Sequence, residues 1–415
     1  MERVILHSDL NNFYASVECL YNPQLRDKPV AVCGSQSARH GIVLAKNYIA
    51  KAYGVKTAEV IWQAKTKCPG LICVSPNYSR YLKFSRMATE IYRCYTDLVE
   101  PFGIDECWLD ISGSARLFGG GEKMAVEIKE KIKAELGITA SVGVSYNKIF
   151  AKLGSDIKKP DAVTAINRDD FKKKIWPLPA KDLLYAGRST SKKLERVGIC
   201  TIGAIAEASP VFLSNLLGKW GETLWSFANG YDTTPVSHFS NEAIVKGIGN
   251  SLTAPRDLVC DDDAKTLLYV LSESVGERLR RHNLKCRTVQ ISIRGDDLLS
   301  RERQGKLARF TYVSSEIAEK AYEIFRGSWN WSGNIRLLGV RATDLVTADT
   351  YRQLSLFSEG RHIKRESLDK SIDAIRSRFG HYSVQRALLL KKNAINANPI
   401  EENIIYPVSY FKGPL

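Results

Sequence analysis

The sequence Arg3-Val4-Ile5-Leu6-His7-Ser8-Asp9 predicts a buried strand that ends on a carboxylate. The run Cys107-Trp108-Leu109-Asp110-Ile111 predicts a second strand, and it directly follows the acidic pair Asp105-Glu106. A third, β-branched strand is predicted over 138–145. Apolar residues at helical spacing separate these strands, so strands and helices alternate through the first 165 residues. This alternation is typical of an α/β or α+β sheet domain.

The rest of the chain divides into three parts. Residues 167–230 are predicted to be rich in helix, and 231–238 have the composition of a linker. A compact α+β pattern follows, with a helix opened by Asp261-Asp262-Asp263 and strands over 287–294, 307–312 and 335–342. One more amphipathic helix is predicted, with its apolar residues on one face and a glycine at its end: Leu368, Ile372, Ile375, Phe379 and Gly380.

The composition is that of a globular chain of 415 residues with a formal net charge of +15. Such a basic balance favours a polyanionic partner, although a merely solvated basic surface would give the same number. No apolar run is long enough for a transmembrane helix, and the N-terminus carries no signal peptide. The nine cysteines include no C-x-x-C pair and the six histidines are scattered, so we expect no zinc site or disulfide framework. These features predict a cytoplasmic protein with reduced cysteines.

Three carboxylates stand at the ends of predicted strands: Asp9, Asp105 and Glu106. Carboxylates at the edge of an apolar sheet are unfavourable unless another group compensates their charge. Three hard oxygen ligands on two adjacent strands can hold two Mg²⁺ ions, which can activate a 3′-hydroxyl and stabilise a pyrophosphate leaving group. Each acid alone could be an exposed turn residue. The three together are more specific than any one of them.

Three segments resemble a known family in the order in which they occur. Asp9-Leu10-Asn11-Asn12-Phe13-Tyr14-Ala15-Ser16-Val17-Glu18 is similar to the N-terminal signature of the Y-family DNA polymerases, the translesion enzymes, in their polymerase IV-like branch. The segment from Pro101 to Ile111 resembles the second acidic motif of that family. The segment Gly143-Val144-Ser145-Tyr146-Asn147-Lys148-Ile149-Phe150-Ala151-Lys152-Leu153, with Lys158-Lys159-Pro160 after it, resembles the third. The resemblance covers residues 2 to 390.

The resemblance implies a multidomain α+β fold, the polymerase right hand. The palm sheet, which carries the catalytic carboxylates, would comprise 1–10 and 78–166, and small fingers would comprise 11–77. A helical thumb over 167–232 and a linker over 233–243 would precede a separate α+β little finger over 244–343. A tail would occupy 344–415. The implied reaction is low-fidelity, template-directed addition of deoxynucleotides to a primer, with bypass of damaged bases.

Carried over residue by residue, the resemblance implies a role for each site residue. Asp9, Asp105 and Glu106 would bind two Mg²⁺ ions, with the Leu10 carbonyl as a further ligand. Tyr14 would be the steric gate that leaves no room for a ribose 2′-hydroxyl. The backbone amides of Asn12 and Phe13 would contact the triphosphate of the incoming deoxynucleotide. Its phosphates would also be bound by Tyr48, Lys51 and Lys159.

The chain departs from the family pattern at several positions. Asn11 and Gly103 stand where Asp and Ser are usual, and neither is an implied metal ligand. Lys51 replaces a common Arg and loses the bidentate fork of the guanidinium. Ile42 and Leu44 stand where smaller residues often form the roof over the nascent base pair. The resemblance therefore does not determine which lesions the polymerase can bypass.

Two regions are predicted to bind primer–template DNA. Lys181 to Ala206 resembles a helix-hairpin-helix in which Gly187 lets the backbone approach a phosphate, although Tyr185 replaces the first glycine of the usual G-x-G. Between Arg278 and Arg309 there are ten Lys and Arg against three acids, a pattern that binds phosphates without reading sequence. We expect the strand at 287–294 to place its basic ends on one rim. The residues predicted to bind DNA are Gly187, Lys246, Arg278, Arg280, Arg281, Arg287, Arg294, Arg301, Arg303 and Arg309.

A short peptide follows the predicted little finger. Gln353-Leu354-Ser355-Leu356-Phe357 resembles the Q-L-x-L-F peptide by which bacterial polymerases bind the sliding clamp. Gln353, Leu354, Leu356 and Phe357 would make the contact, since a few buried anchors often carry most of the binding energy. The same apolar residues could instead pack on the protein's own surface. In the family the peptide often lies near the C-terminus, whereas 58 residues follow it here.

Two alternative functions differ from this prediction. A catalytically inactive, DNA-binding member of the family would have lost a carboxylate, and all three are present. A nucleotide cyclase uses a similar acidic palm but needs no hairpin-type thumb and no basic DNA-binding module. The predicted partners are therefore primer–template DNA, a deoxynucleoside triphosphate and the sliding clamp. We expect the protein to act as a monomer without a membrane.

Overall fold

The computed structural model describes residues 3–35, 41–241, 244–350 and 359–390. These residues form two compact units, here called the N-terminal unit (3–34 with 42–241) and the C-terminal unit (244–390). Among the described helices, none has both the length and the hydropathy that crossing a bilayer requires.

The N-terminal unit alternates strands and helices before it becomes purely helical. Its elements are β1 (Ile5–Leu10), α1 (Phe13–Tyr21), β2 (Val30–Cys33), β3 (Val43–Lys46), α2 (Tyr48–Ala52), α3 (Ile61–Lys67), β4 (Ile72–Val74), α4 (Tyr78–Arg93), β5 (Val99–Pro101), β6 (Glu106–Asp110), α5 (Gly121–Leu136), β7 (Ala140–Ser145), α6 (Lys148–Ile157), β8 (Val163–Ile166), α7 (Phe171–Ile175), α8 (Arg188–Arg196), α9 (Ile202–Glu207), α10 (Pro210–Leu217) and α11 (Lys219–Ala228).

A five-stranded sheet of order β5-β6-β1-β7-β8 forms the centre of this unit. The strand β1 is antiparallel to both β6 and β7, and all six of its residues are buried. Successive side chains of a strand point to opposite faces. Leu6 and Leu10 therefore pack with the helices α4 and α5 on one face, while Ile5, His7 and Asp9 point to the other.

The helix α6 covers the face to which Asp9 points. Its approach depends on Gly143 of β7, because a Cβ there would lie 1.9 Å from the carbonyl oxygen of Ala151. Ser155 of α6 contacts His7 of β1 through a hydrogen bond of 2.9 Å. The helix α6 thus lies directly over the end of β1 that carries the first carboxylate.

Two further layers complete the N-terminal unit. A three-stranded sheet of order β3-β2-β4 falls within the range predicted for the fingers. The helices α7 to α11 fall within the range predicted for the thumb, and they share a core with the start of α6. The subdomain boundaries themselves stay a prediction.

The C-terminal unit is built on an antiparallel four-stranded sheet of order β11-β10-β12-β9. Alternate residues of β10, among them Val289, Ile291 and Ile293, pack against the helices α12 and α13. The elements of this unit are β9 (Gly247–Leu258), α12 (Asp261–Arg281), β10 (Leu284–Gly295), β11 (Ser300–Thr311), α13 (Ser314–Arg326), β12 (Ile335–Thr347) and α14 (Glu359–Phe379).

The last helix, α14, contacts the rest of this unit through its charged face. Arg280 of α12 lies 3.1 Å from Asp369 and 2.5 Å from Asp373, both on α14. Arg376 adds a contact of 3.0 Å to Glu273. The predicted apolar residues do share one face, but Leu368, Ile375 and Phe379 are exposed on it. Ion pairs, rather than apolar burial, therefore hold α14 in this orientation.

Candidate active site

Strand register brings two of the predicted carboxylates together. Asp9 of β1 lies directly opposite Glu106 of β6 in the antiparallel pair, so both side chains point to the face covered by α6. Asp105 immediately precedes β6, and its carbonyl accepts a hydrogen bond of 2.9 Å from the backbone N–H of Leu10. The three predicted acids and Leu10 thus lie at one end of two neighbouring strands.

Two lysines compensate the charge of these acids. Lys152 of α6 places its ammonium 2.8 Å from Glu106 and 3.2 Å from Asp9. Lys159 lies 2.6 Å from Asp9. Both lysines also contact Asp156, at 3.3 and 2.7 Å. Although burial alone lowers the pKa of Lys152, the carboxylates of Asp9, Glu106 and Asp156 raise it above its ordinary value.

The compensation is incomplete at Asp105. Burial, followed by repulsion from Asp9 and Glu106, raises the pKa of Asp105 to about 7. Burial also raises the pKa of Asp9, although Lys152 and Lys159 act in the opposite direction. The arrangement therefore favours additional positive charge beside Asp105.

The buried side chain of His7 contacts the carboxylate cluster at Glu106. Its ring is fully buried, and its Nε2 lies 3.3 Å from a Glu106 carboxylate oxygen. Burial and the nearby ammonium of Lys152 hold the pKa of His7 well below its ordinary value. A neutral His7 leaves Lys152 and Lys159 as the cations of the cluster.

The donor set matches what a hard divalent cation binds, namely carboxylate and carbonyl oxygens. Among the described residues, no three His, Cys, Asp or Glu side chains are already arranged as a metal cage. Lys152 lies between Asp9 and Glu106, where it supplies the positive charge. The carboxylates fit divalent metals by their chemistry and by the raised pKa of Asp105. A metal ion held by both Asp9 and Glu106 would take the place of the Lys152 ammonium.

A cavity of about 330 Å³ opens over these acids. Its lining combines the carboxylates with an aromatic ring and with residues from the three-stranded sheet. Most of the residues predicted for the nucleotide site line it. The lining residues are Asp9, Leu10, Asn12, Phe13, Tyr14, Leu44, Ala45, Lys46, Thr57, Ile104, Asp105, Glu106 and Lys159.

The Tyr14 ring is held in place by two other tyrosines. It stacks on Tyr81 with ring centroids 4.2 Å apart and meets the edge of Tyr78 at 6.0 Å. Tyr81 is fully buried, and its hydroxyl donates a 2.8 Å hydrogen bond to Glu18. Because its neighbours are fixed, the Tyr14 ring forms a rigid part of the cavity wall.

Three predicted site residues lie outside the lining of this cavity. Tyr48 begins α2, and the Lys51 ammonium lies 5.3 Å from the centroid of its ring. Burial raises the pKa of Tyr48, while the Lys159 ammonium lowers it and the Asp9 carboxylate raises it. Ile42 is exposed and pairs with Val60 in an isolated bridge, whereas Leu44 does line the cavity.

Two of the departures from the family pattern, Asn11 and Gly103, have structural explanations. Asn11 is buried, donates a 2.9 Å hydrogen bond to Ser141 and accepts one from the backbone N–H of Asp161. It therefore joins β1 to β7 and to the loop after α6. Gly103 adopts a φ of +98°, which favours glycine over serine.

Comparisons with known proteins agree with this geometry. Residues 8–156 match the impB/mucB/samB family, and residues 245–356 match the C-terminal domain of the same family. A DNA polymerase IV from Acetivibrio thermocellus is 64% identical over 95% of this chain and 100% of its own length. The chain belongs to the Y-family DNA polymerases of the polymerase IV type.

One further relative and one solved structure are also similar to most of this chain. DNA polymerase IV 1 from Bacillus subtilis is 38% identical over 94% of each chain. A solved chimeric Y-family DNA polymerase superposes with a TM-score of 0.73 at 23% identity, over 83% of this chain and 99% of its own. This second likeness concerns the fold, which is the multidomain α+β fold of Y-family polymerases.

The sequence analysis gave no role to three residues in or beside this Y-family cavity. Lys152, beside the carboxylates, was included in the third motif without a role, although its spacing to Asp156 on a helix indicates an ion pair. Lys46 lines the cavity and donates a 2.8 Å hydrogen bond to Thr57, which lines it too. Nothing in the local pattern of 43–57 indicates that the Lys46 and Thr57 side chains meet, because the short helix α2 and the turn after it separate them.

The predicted DNA-binding residues differ in how available they are. Arg280 lies in its ion pairs with Asp369 and Asp373 and is 9% exposed, so we remove it from the proposed DNA surface. Arg278 donates to the Gly249 carbonyl, and Arg281 pairs with Glu277. The predicted DNA-binding residues that are exposed are Gly187, Lys246, Arg281, Arg287, Arg294, Arg301 and Arg303, and Arg309 is half-buried.

The basic residues of the β10–β11 pair do not all share one face. Arg294 lies opposite Ser300 on the side away from the helices, whereas Arg301 and Arg303 lie opposite Ile293 and Ile291 on the helix side. The predicted rim concerned only the ends of 287–294 and stays a prediction. The strand predicted over 307–312 was too short, because β11 begins at Ser300 and therefore includes Arg301 and Arg303. The residues Gln353, Leu354, Leu356 and Phe357 of the clamp peptide lie outside the part of the chain that the structure describes.

Proposed function

We propose that this DNA-directed DNA polymerase extends a primer 3′-hydroxyl by two-metal nucleotidyl transfer with release of pyrophosphate, at low fidelity. Its membership of the Y family makes it a translesion polymerase; the mechanism and the fidelity are the proposal. The observation that supports it best is the register of Asp9 against Glu106, with Asp105 beside them in one cavity.

Two Mg²⁺ ions would be held by the carboxylates of Asp9, Asp105 and Glu106 and by the Leu10 carbonyl. Bound there, such ions supply Lewis-acid activation of a hydroxyl and stabilise charge on a leaving pyrophosphate. Lys159, at 2.6 Å from Asp9, can turn from that carboxylate to a phosphate of the nucleotide. The backbone amides of Asn12 and Phe13 lie on the same cavity wall and would contact the triphosphate. Tyr48 and Lys51 would complete the phosphate contacts.

Tyr14 would exclude ribonucleotides by occupying the space beside the sugar. Its stacking on Tyr81 supports this role, because a gate works only when its ring cannot move aside. The remaining partners of the proposal are primer–template DNA on the basic residues identified above and a bacterial sliding clamp on Gln353 to Phe357. The protein would work in the cytoplasm as a monomer.

A primer-extension assay tests the proposed reaction. A labelled primer is annealed to an undamaged template and to one with an abasic site, and Mg²⁺ and the four deoxynucleotides are added. We expect extension on both templates and frequent misincorporation on the first. Binding of the primer–template without any extension would contradict the proposal and favour the catalytically inactive, DNA-binding alternative.

The roof of the cavity gives a separate prediction. Leu44→Ala should increase bypass of a bulky template adduct by about 10-fold relative to undamaged synthesis, because it opens the cavity wall. Ile42→Ala is the matched control and should change this ratio less, since Ile42 does not line the cavity. Equal ratios for wild type and Leu44→Ala, measured by single-nucleotide incorporation, would remove Leu44 from the roof.

The clamp peptide gives another prediction. Replacing Gln353, Leu356 and Phe357 together with Ala should leave distributive primer extension intact and abolish stimulation by the organism's sliding clamp, because the contact loses its anchors. Primer extension with and without clamp measures both effects. Stimulation that persists, or unfolding of the triple variant, would instead show that the peptide has a structural role.

A further inference from the structure

Two large aromatic side chains of the N-terminal unit lie exposed side by side. Tyr185 is 52% exposed and Trp220, at the start of α11, is 54% exposed. Their ring centroids are 5.3 Å apart with an angle of 45° between the planes, and Phe227 lies behind Tyr185 at 6.2 Å. Paired aromatic rings at a surface are characteristic of a contact site rather than of a scattered apolar residue.

The backbone holds Tyr185 outward. Its φ is +69°, in the left-handed region that is disfavoured for residues with a side chain. Leu183, two residues before it, and Ala186, directly after it, are buried in the core, so both ends of the turn are fixed. Tyr185 stands where the related hairpin carries glycine, and glycine would fit this φ better. An aromatic residue at an unfavourable φ points to a use for its ring.

The surroundings of the pair are basic. The turn leads into α8, which exposes Arg188, Lys192, Lys193 and Arg196 against the single acid Glu195. Lys219 is exposed beside Trp220. Two exposed rings next to a basic helix match the combination that proteins use to hold nucleic acid, in which cations contact phosphates and rings contact sugars or bases.

We propose that Tyr185 and Trp220 form an aromatic platform that packs against the sugars or bases of the bound primer–template. The platform deepens the proposed function and rests on it, because its ligand is the DNA substrate. The excess of basic over acidic residues on α8 favours DNA over a protein partner as the occupant. The contact adds affinity without adding a phosphate contact.

Binding of the full-length protein to a fluorescently labelled primer–template, measured by anisotropy over a range of salt concentrations, tests this proposal. Trp220→Ala and Tyr185→Asn should each weaken binding by about 5- to 20-fold, as loss of a ring–base contact does. The slope of the logarithm of affinity against the logarithm of salt should not change, since no phosphate contact is lost. Arg188→Gln, by contrast, should make this slope less steep.

Tyr382→Ala is the matched control, because Tyr382 is 51% exposed but belongs to the C-terminal unit. It should bind as wild type does. Tyr185→Asn keeps the test valid if Trp220→Ala folds poorly, since asparagine tolerates the left-handed φ of that position. Wild-type affinity in both platform variants would overturn the inference and favour a protein contact for the pair. Absence of DNA binding by the wild type would instead contradict the proposed function.

Discussion

Asp105→Asn should abolish nucleotide incorporation, with a loss of about 10³-fold or more, while the affinity for primer–template stays near that of the wild type. Asn keeps the shape of the side chain but removes the charge that would bind a metal. Asp105 also lies beside Asp9 and Glu106 in the cavity and is not one of the residues proposed to hold DNA. Single-turnover incorporation and anisotropy measure the two quantities separately.

In the absence of metal, the Asp105→Asn variant should be more stable than the wild type. Because the pKa of Asp105 is raised to about 7 in the folded protein, the wild type loses stability as the pH rises from about 4 to 7. Asn does not ionise, so in EDTA at pH 8 the variant should unfold at a higher temperature than the wild type. The difference in unfolding temperature between the variant and the wild type should vanish near pH 4.

Asp110→Asn is the control for the measurement of nucleotide incorporation. Asp110 lies at the far end of β6, where its carboxylate accepts hydrogen bonds from Ser112. Its variant should retain incorporation. If Asp105→Asn incorporates nucleotides within a few-fold of the wild type, the assignment of the metal ligands is wrong.

Tyr14→Ala should lower the preference for deoxynucleotides over ribonucleotides by about 100-fold, or about 2.7 kcal/mol of discrimination. The reason is steric: the ring lines the cavity and is fixed by Tyr81, so removing it opens space for a 2′-hydroxyl. Incorporation efficiencies for a matched pair of nucleotides give the ratio directly.

Tyr14→Phe separates the ring from its hydroxyl. It keeps the stacked ring and should keep the discrimination of the wild type. If Tyr14→Ala discriminates as well as the wild type does, the gate lies elsewhere in the cavity, and Phe13 is the next residue to test.

The sequence identified the parts of the fold that have strong local patterns. The strand β1, its terminal Asp9 and the acidic pair before β6 are all read from apolar runs bounded by charge. The first seven residues of β11, Ser300 to Lys306, could not be predicted because they are polar without alternation. They form a strand because β10 supplies hydrogen-bond partners along its full length.

At α14 the local pattern predicted the element correctly but not the face through which it packs. Its apolar stripe suggested a core-facing side, but that stripe is exposed, and Asp369 and Asp373 instead face Arg280. Amphipathic periodicity identifies the helix without saying which face is used, because ion pairs between distant segments leave no local signal. Lys152 illustrates the same limit in the candidate site: its pairing with Asp156 has a local signal, but its contacts with Asp9 and Glu106, which are distant in sequence, have none.

The most direct test of the central claim is anomalous scattering from Mn²⁺ in crystals of the full-length protein with primer–template and a non-hydrolysable nucleotide. The account predicts two Mn²⁺ peaks about 2.1 Å from oxygens of Asp9, Asp105 and Glu106. It also predicts that the Lys152 ammonium has left its position between Asp9 and Glu106. Mn²⁺ bound away from these carboxylates, with Lys152 still in contact with both, would contradict the claim that they form the catalytic centre.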